Sequence, residues 1–232
     1  NEIGSIQPIQ AISELLADKP TISFHVDAVQ SLAKIPTEKY LTERVDFATF
    51  SGHKFHGVRG VGFVYIKSGK KITPLLTGGG QERDYRSTTE NVAGIAATAK
   101  ALRLSMEKLD IFRSKTGQMK AVIRQALLDY PDIFVFSDEE DFAPHILTFG
   151  IKGVRGEVIV HAFEDYDIFI STTSACSSKA GKPAGTLIAM GVDKDKAQSA
   201  VRLSLDLEND MSQVEQFLTK LKLIYNQTRK VR

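Results

Sequence analysis

Short runs of β-branched and aromatic residues that end in polar residues stand out in the first third of the chain. Thr21 to Val26 is followed by Asp27, and Val45 to Phe50 is followed by Ser51. Gly62 to Lys67 is a third run of this kind. Runs of this length and composition predict strands. In an open α/β sheet, ligands bind beyond the carboxyl ends of the strands, so the polar residues that end these runs are candidate site residues.

Helical patterns accompany these strands and continue beyond them. Apolar spacing predicts one helix at Pro8 to Leu16 and two long helices at Val92 to Leu109 and Ile111 to Leu128. We therefore predict an α/β domain over 1–108 and a smaller α+β domain over 109–232. The predicted elements of the second domain are strands at Ile133 to Phe136, His145 to Phe149 and Asp167 to Ser171, and helices at Gly156 to Glu164, Lys194 to Ala200 and Met211 to Asn226.

Composition excludes several classes of function. The 30 basic and 28 acidic residues give a net charge of only +2, which does not favour direct binding of nucleic acid. One cysteine cannot build a disulfide framework, and no apolar run approaches the roughly 20 residues of a membrane-spanning helix. We expect a cytoplasmic protein without a metal site. The chain opens with Asn1, not methionine, so we expect a segment cut from a longer protein.

Lys54 stands in the segment Ser51-Gly-His53-Lys54-Phe55-His-Gly, directly after a predicted strand. A lysine in a loop is usually a solvated surface charge. A lysine nucleophile instead requires a lowered pKa, which neighbouring cationic groups and burial produce. The two histidines and Phe55 give this segment that character, so Lys54 is a candidate nucleophile.

Asp27 and Gln30 form a second candidate group in the segment HVDAVQ. An aspartate at the end of a strand is usually a capping or turn residue. Pyridoxal phosphate chemistry, however, requires both a Schiff-base lysine and a carboxylate on the ring nitrogen. Asp27 together with Lys54 would meet this need, and Gln30 could donate a hydrogen bond to the ring oxygen.

Cys176 lies in the segment STTSACSSKAG, which is rich in small and polar residues. A lone cysteine is most often a small buried hydrophobic residue. The neighbours of Cys176 instead predict an exposed, mobile loop, which suits a thiol that must reach a substrate and then deliver a group elsewhere.

Six ordered segments, NEIGSIQPI, FHVDAVQS, FSGHKFHG, GGGQERDYRSTTEN, STTSACSS and AVRLSL, resemble the cysteine desulfurases of the class V aminotransferase group. The resemblance runs almost end to end. It implies an incomplete large domain of the pyridoxal phosphate-transferase fold, with a mainly parallel sheet, and a C-terminal small domain. It also implies removal of sulfur from L-cysteine, giving alanine and an enzyme persulfide.

The resemblance implies a role for each matching residue. Lys54 would form the Schiff base with pyridoxal 5'-phosphate, and Cys176 would carry the persulfide. The remaining implied contacts are Asp27 and Gln30 with the cofactor ring, Ser51, His53 and, from a neighbouring subunit, Thr89 with its phosphate, and Asn1 and Arg202 with the substrate carboxylate. A homodimer and a sulfur-acceptor protein, either an iron–sulfur scaffold or a tRNA-thiolation enzyme, are the implied partners.

Two alternatives stay open at this point. A related class V lyase or aminotransferase, such as a selenocysteine lyase, would share most of these residues. A non-catalytic protein that only dimerises or relays sulfur would keep the fold alone. Relatives carry a long portion before the position of Asn1, including a phosphate-binding loop and a ring-stacking residue, so we expect this chain by itself to be inactive.

Overall fold

The computed structural model describes residues 1–137, 140–173 and 185–230 and divides the chain into two compact units. The first unit is Gln7–Asp110. The second combines Asn1–Ile6 with Ile111–Arg232. The sequence analysis placed the first six residues in the N-terminal domain, whereas their backbone hydrogen bonds go to residues of the second unit, such as Asp141 and Ala143.

The first unit contains a three-stranded sheet in the order β1-β2-β3. β1 pairs with β2 in parallel, and β2 pairs with β3 antiparallel. The α/β fold class is confirmed. The elements are α1 (Ile9–Leu15), β1 (His25–Asp27), a 3-10 helix (Thr37–Lys39), β2 (Phe47–Ser51), a second 3-10 helix (Gly52–Phe55), β3 (Gly62–Ile66) and α2 (Val92–Glu107).

Strand β1 is shorter than its apolar run suggested. The sequence predicted a strand from Thr21, but pairing begins only at His25. Upstream of β1, side chains bind part of the backbone: Arg44 donates to the carbonyls of Lys19 and Ile22, and Asp46 accepts from the Phe24 amide. The Phe24 carbonyl accepts from the backbone amides of Asp46 and Phe47. Before Phe24, the contacts from Arg44 thus take the place of the pairing that a longer strand would form.

One face of the first sheet carries the core of this unit. Val26 of β1 and Ala48 and Phe50 of β2 lie on this face and are buried. Phe50 also stacks on Phe63 of β3, with ring centroids 4.7 Å apart. The strand period of two therefore turns the polar residues of β1 and β2 toward the opposite face.

The second unit is built on a four-stranded antiparallel sheet in the order β4-β5-β7-β6. Its core joins one face of this sheet to three helices and includes Phe163 stacked on Phe217 at 4.9 Å. The elements are α3 (Leu109–Leu128), β4 (Ile133–Val135), β5 (Ile146–Ile151), α4 (Gly156–Glu164), β6 (Ser171–Thr172), α5 (Gly185–Ala189), α6 (Lys194–Gln198), β7 (Ala200–Ser204) and α7 (Met211–Lys230).

Several elements of the second unit differ from the sequence prediction. The predicted strand Asp167–Ser171 is reduced to β6, and α5 was not predicted. The predicted helix ending at Ala200 stops at Gln198, because Ala200 already pairs with Gly150 in the sheet. Among the described residues, no helix has the length and apolarity needed to cross a membrane.

Candidate active site

Asp27 and Lys54 lie at the carboxyl ends of two adjacent parallel strands. Asp27 is the last residue of β1 and lies opposite Thr49 of β2. Lys54 lies in the 3-10 helix that begins at Gly52, directly after β2. Since parallel strands end at the same edge of a sheet, the structure brings both residues to one edge, where α/β sheets bind ligands.

The carboxylate of Asp27 is exposed and is oriented by its own turn. Oδ1 of Asp27 accepts a hydrogen bond from the Val29 amide at 3.1 Å. His25 lies on the same face of β1, and its Nε2 is 3.3 Å from Oγ1 of Thr49. His25, Asp27 and Thr49 thus give this face three polar side chains, and the Val29 amide holds the Asp27 carboxylate in one orientation there.

The backbone around Lys54 is held against α2. Gly52 approaches Thr98 so closely that a Cβ atom on Gly52 would lie 2.9 Å from the threonine methyl group. Ser105 donates a hydrogen bond to the Phe55 carbonyl at 3.2 Å, and Phe55 itself is buried. The half-buried Lys54 thus projects from a rigid turn. The cover of the Lys54 amine by Phe55 stays a prediction.

The other predicted cofactor contacts of this unit lie in different surroundings. Ser51 is the last residue of β2 and is half-buried, whereas the neighbouring His53 is exposed. Gln30 is half-buried in the turn after β1. These three residues share the edge of Asp27 and Lys54. Thr89 lies exposed just before α2, which begins at Val92.

Asn1 and Arg202 form a contact within the second unit. Nη1 of Arg202 donates to the backbone carbonyl of Asn1 at 2.8 Å and to its Oδ1 at 3.1 Å. Arg202 is the central residue of β7, between Thr148 of β5 and Ser171 of β6. The structure therefore brings together the two residues predicted to bind the substrate carboxylate.

Cys176 lies outside the described residues, so its predicted exposure stays a prediction. The last described strand before it is β6, which pairs Ser171 and Thr172 with β7.

The most strongly bound buried carboxylate of the first unit is Asp46, which sequence reasoning missed. Burial alone would raise its pKa, but hydrogen bonds from the Phe24 amide, Lys70 and Arg44 more than offset this effect and lower the pKa below its usual range. Asp46 immediately precedes β2, so this cluster fixes the start of the strand that leads to Lys54. The sequence signal was weak, since charged residues at the start of a strand are common.

Thr148 and Ser137 were also missed. Both are buried, and their hydroxyl groups bind the backbone of residues 2 and 3. The only signal in the sequence is a threonine inside the apolar run HILTFGI. Nothing in that run indicates its partner, which is far away in sequence.

Comparison with known families gives the class of this protein. The sequence matches the aminotransferase class-V family over residues 1–217, and the chain belongs to that family.

Two similar curated relatives have desulfurase-type names. A NifS/IcsS protein homolog of Lactobacillus delbrueckii subsp. bulgaricus is 49% identical over 232 residues, covering 100% of this chain and 60% of the relative. A cysteine desulfurase IscS of Clostridium botulinum is 36% identical over 234 residues, covering 100% of this chain and 58% of the relative. The chain thus spans less than two thirds of the length of these relatives.

Solved structures show the same relationship. A NifS-like protein aligns with a TM-score of 0.86 and 35% identity, over 97% of this chain and 58% of the other. A NifS-like protein from Rickettsia africae aligns with a TM-score of 0.85 and 28% identity, over 97% of this chain and 59% of the other. The predicted fold class and family are confirmed.

Proposed function

We propose that the protein is a cysteine desulfurase that uses pyridoxal 5'-phosphate to move sulfur from L-cysteine to Cys176. The observation that carries this proposal is the placement of Asp27 and Lys54 at one edge of two parallel strands. The similarity to named desulfurases supports the choice of reaction within the family.

The residues at the β1–β2 edge fit the cofactor. Asp27 offers an exposed carboxylate whose orientation is fixed by the Val29 amide, as a protonated ring nitrogen requires. Among the described residues, the Lys54 amine has no hydrogen-bond or ion-pair partner that would compete with a cofactor. Ser51, His53 and Gln30 add hydroxyl, imidazole and amide groups at the same edge, for phosphate and ring oxygens.

When bound, pyridoxal phosphate supplies an electron sink for bond cleavage next to the amino group of the substrate. Asp27 would hold the proton on the ring nitrogen, and Lys54 would hold the cofactor in place through Nζ. Asn1 and Arg202 would orient the substrate by its α-carboxylate, a task that suits the planar guanidinium group.

Cys176 would accept the sulfur. Its thiolate attacks the sulfur atom of the substrate, a new S–S bond forms, and the C–S bond breaks. The electron pair of that bond stays on the carbon, which takes up a proton. L-Cysteine thereby becomes L-alanine, and Cys176 becomes a persulfide, so that all atoms and electrons are accounted for.

We also propose the partners. A homodimer would let Thr89, which is exposed, contribute to the phosphate site of the neighbouring subunit. The persulfide would pass to a sulfur-acceptor protein in the cytoplasm, either an iron–sulfur scaffold or a tRNA-thiolation enzyme.

The test uses protein expressed from the complete coding sequence. Sulfide release from L-cysteine is measured with a thiol reductant, and the visible absorbance of the bound cofactor is recorded before and after borohydride. We expect Lys54→Ala to lose both signals and Cys176→Ser to lose only sulfide release. Lys71→Ala is the matched control, since Lys71 is an exposed lysine of the same unit. Wild-type turnover in the Lys54→Ala variant would refute the proposal.

A further inference from the structure

Residues 1–6 lie on the face of the second sheet that is turned away from its main core. Val201, Leu203 and Phe149 point into that core, so the alternating residues Thr148 and Arg202 lie on the opposite face. The backbone of residues 2–6 is bound to this unit at four points. These are the Glu2 carbonyl to Thr148, the Ile3 carbonyl to Ser137, the Gly4 carbonyl to the Ala143 amide, and the Ile6 amide to the Asp141 carbonyl.

Two of these four bonds come from buried hydroxyl groups. Oγ1 of Thr148 donates to the Glu2 carbonyl at 2.7 Å, and Oγ of Ser137 donates to the Ile3 carbonyl at 2.6 Å. The Ser137 hydroxyl also accepts from the Thr148 amide at 2.8 Å. Ser137 and Thr148 therefore form a hydrogen-bonded pair, which fixes two successive carbonyl groups of the N-terminal segment.

The register of the sheet places the Ser137–Thr148 pair next to the Asn1–Arg202 contact. Thr148 lies directly opposite Arg202 in the β5–β7 pair, on the same face. Thr148 thus fixes the carbonyl of the residue next to Asn1, while its cross-strand neighbour Arg202 binds Asn1 itself. Asn1 and Glu2 are therefore attached to two residues, Arg202 and Thr148, that lie opposite each other in the β5–β7 pair.

Packing alone does not explain a threonine at this position. Thr148 is fully buried in a strand that is otherwise apolar, and a valine has almost the same shape. A buried hydroxyl group lowers stability unless it is hydrogen-bonded, so its contribution here lies in the bond to Glu2.

We propose that Thr148 and Ser137 are positioning residues, which hold Asn1 against Arg202 so that both face the α-carboxylate of the substrate. This inference rests on the proposed function. A loosened N-terminal segment would let Asn1 and the guanidinium group move apart, so the loss would fall on substrate binding and much less on the chemical step.

The test compares KM and kcat for L-cysteine in protein from the complete coding sequence. We expect Thr148→Val and Ser137→Ala to raise KM about tenfold with kcat within about twofold, and Thr148→Ser, which keeps the hydroxyl group, to restore the wild-type KM. The matched control is Thr116→Val, because Thr116 is also fully buried and its hydroxyl group donates to a carbonyl of its own helix, that of Phe112, and not to residues 1–6. The control should lose stability without a change in KM.

The outcomes separate the inference from the proposed function. An unchanged KM in both Thr148→Val and Ser137→Ala, in a parent protein that releases sulfide, would overturn the positioning role alone. An equal rise of KM in Thr116→Val would also overturn it, since general destabilisation would then be the cause. A parent protein that never releases sulfide would overturn the proposed function and this inference with it. If Thr148→Val does not fold, Ser137→Ala decides the question.

Discussion

Replacing Asp46 with asparagine tests how the first unit aligns β1 with β2. The Asp46 carboxylate is 2% exposed and binds Arg44 at 2.9 Å, Lys70 at 3.1 Å and the Phe24 amide at 2.9 Å. The amide side chain of asparagine has nearly the same shape but no charge. The substitution therefore leaves two cations without their shared partner, next to the segment that enters β1.

The expected loss of stability is about 3 kcal/mol. Breaking a buried ion pair by removing one partner costs roughly 3–5 kcal/mol. The lower end applies here, because the Lys70 side chain is 33% exposed and regains hydration more easily than Arg44, which is 15% exposed. Since about 1.4 kcal/mol is a factor of ten, protection of the β1 backbone should fall roughly 100-fold.

Hydrogen exchange followed by mass spectrometry measures this effect in the peptides that contain Phe24 and β1. It suits a chain of two units, because a single unfolding midpoint would average them. Asp18→Asn is the control: Asp18 pairs with Lys19 at 2.6 Å, but its side chain is 80% exposed, so we expect a change within about 0.5 kcal/mol. Equal exchange rates in both variants would refute the reasoning.

Three further outcomes are expected. Because the folded-state pKa of Asp46 lies below its ordinary value of 3.8, its contribution to stability is present above that value and is lost as the pH falls through the folded pKa. The stability difference between the parent and Asp46→Asn should therefore be constant above about pH 4 and shrink as the pH falls further. Phe217→Ala should destabilise the second unit by about 3–5 kcal/mol in urea unfolding, since it removes a ring stacked on Phe163. Cys176→Ser should block persulfide labelling by a thiol-specific reagent after incubation with L-cysteine, and labelling that persists would contradict the assigned sulfur acceptor.

The sequence predicted the edge that carries Asp27 and Lys54 because that signal is local. Each residue follows an apolar run of strand composition, and the polar position after such a run is at the ligand-binding edge in any parallel pair. The same local logic located the long helices α2 and α3 to within a few residues. The family resemblance then assigned roles that strand periodicity alone does not contain.

Contacts between distant residues could not be predicted in the same way. Thr148 binds a carbonyl 146 positions away, and Ser137 binds one 134 positions away. No periodicity in either segment encodes such a partner. The early start predicted for β1 was wrong for the same reason, because Arg44 and Asp46 bind the backbone before His25 from the far side of a long connection.

Gly4→Ala tests the placement of residues 1–6 without touching a polar group. Gly4 has φ +86°, and a Cβ atom there would lie 3.0 Å from Cβ of Ile146 on β5. The left-handed conformation costs alanine about 1–2 kcal/mol, and the contact with Ile146 adds to this cost because both atoms belong to short, stiff side chains. We expect the segment to lift from β5, with faster hydrogen exchange at the Ile6 and Ala143 amides.

Gly60→Ala separates the two contributions. Gly60 has nearly the same φ, +82°, but nothing lies within 4 Å of the position of an added Cβ atom. This control therefore has the backbone cost without the collision. If both variants accelerate exchange around their own site by the same factor, contact with Ile146 does not hold the segment in place. A clearly larger effect at Gly4 shows that close packing against β5, together with the Thr148 and Ser137 hydroxyl groups, sets the position of Asn1 beside Arg202.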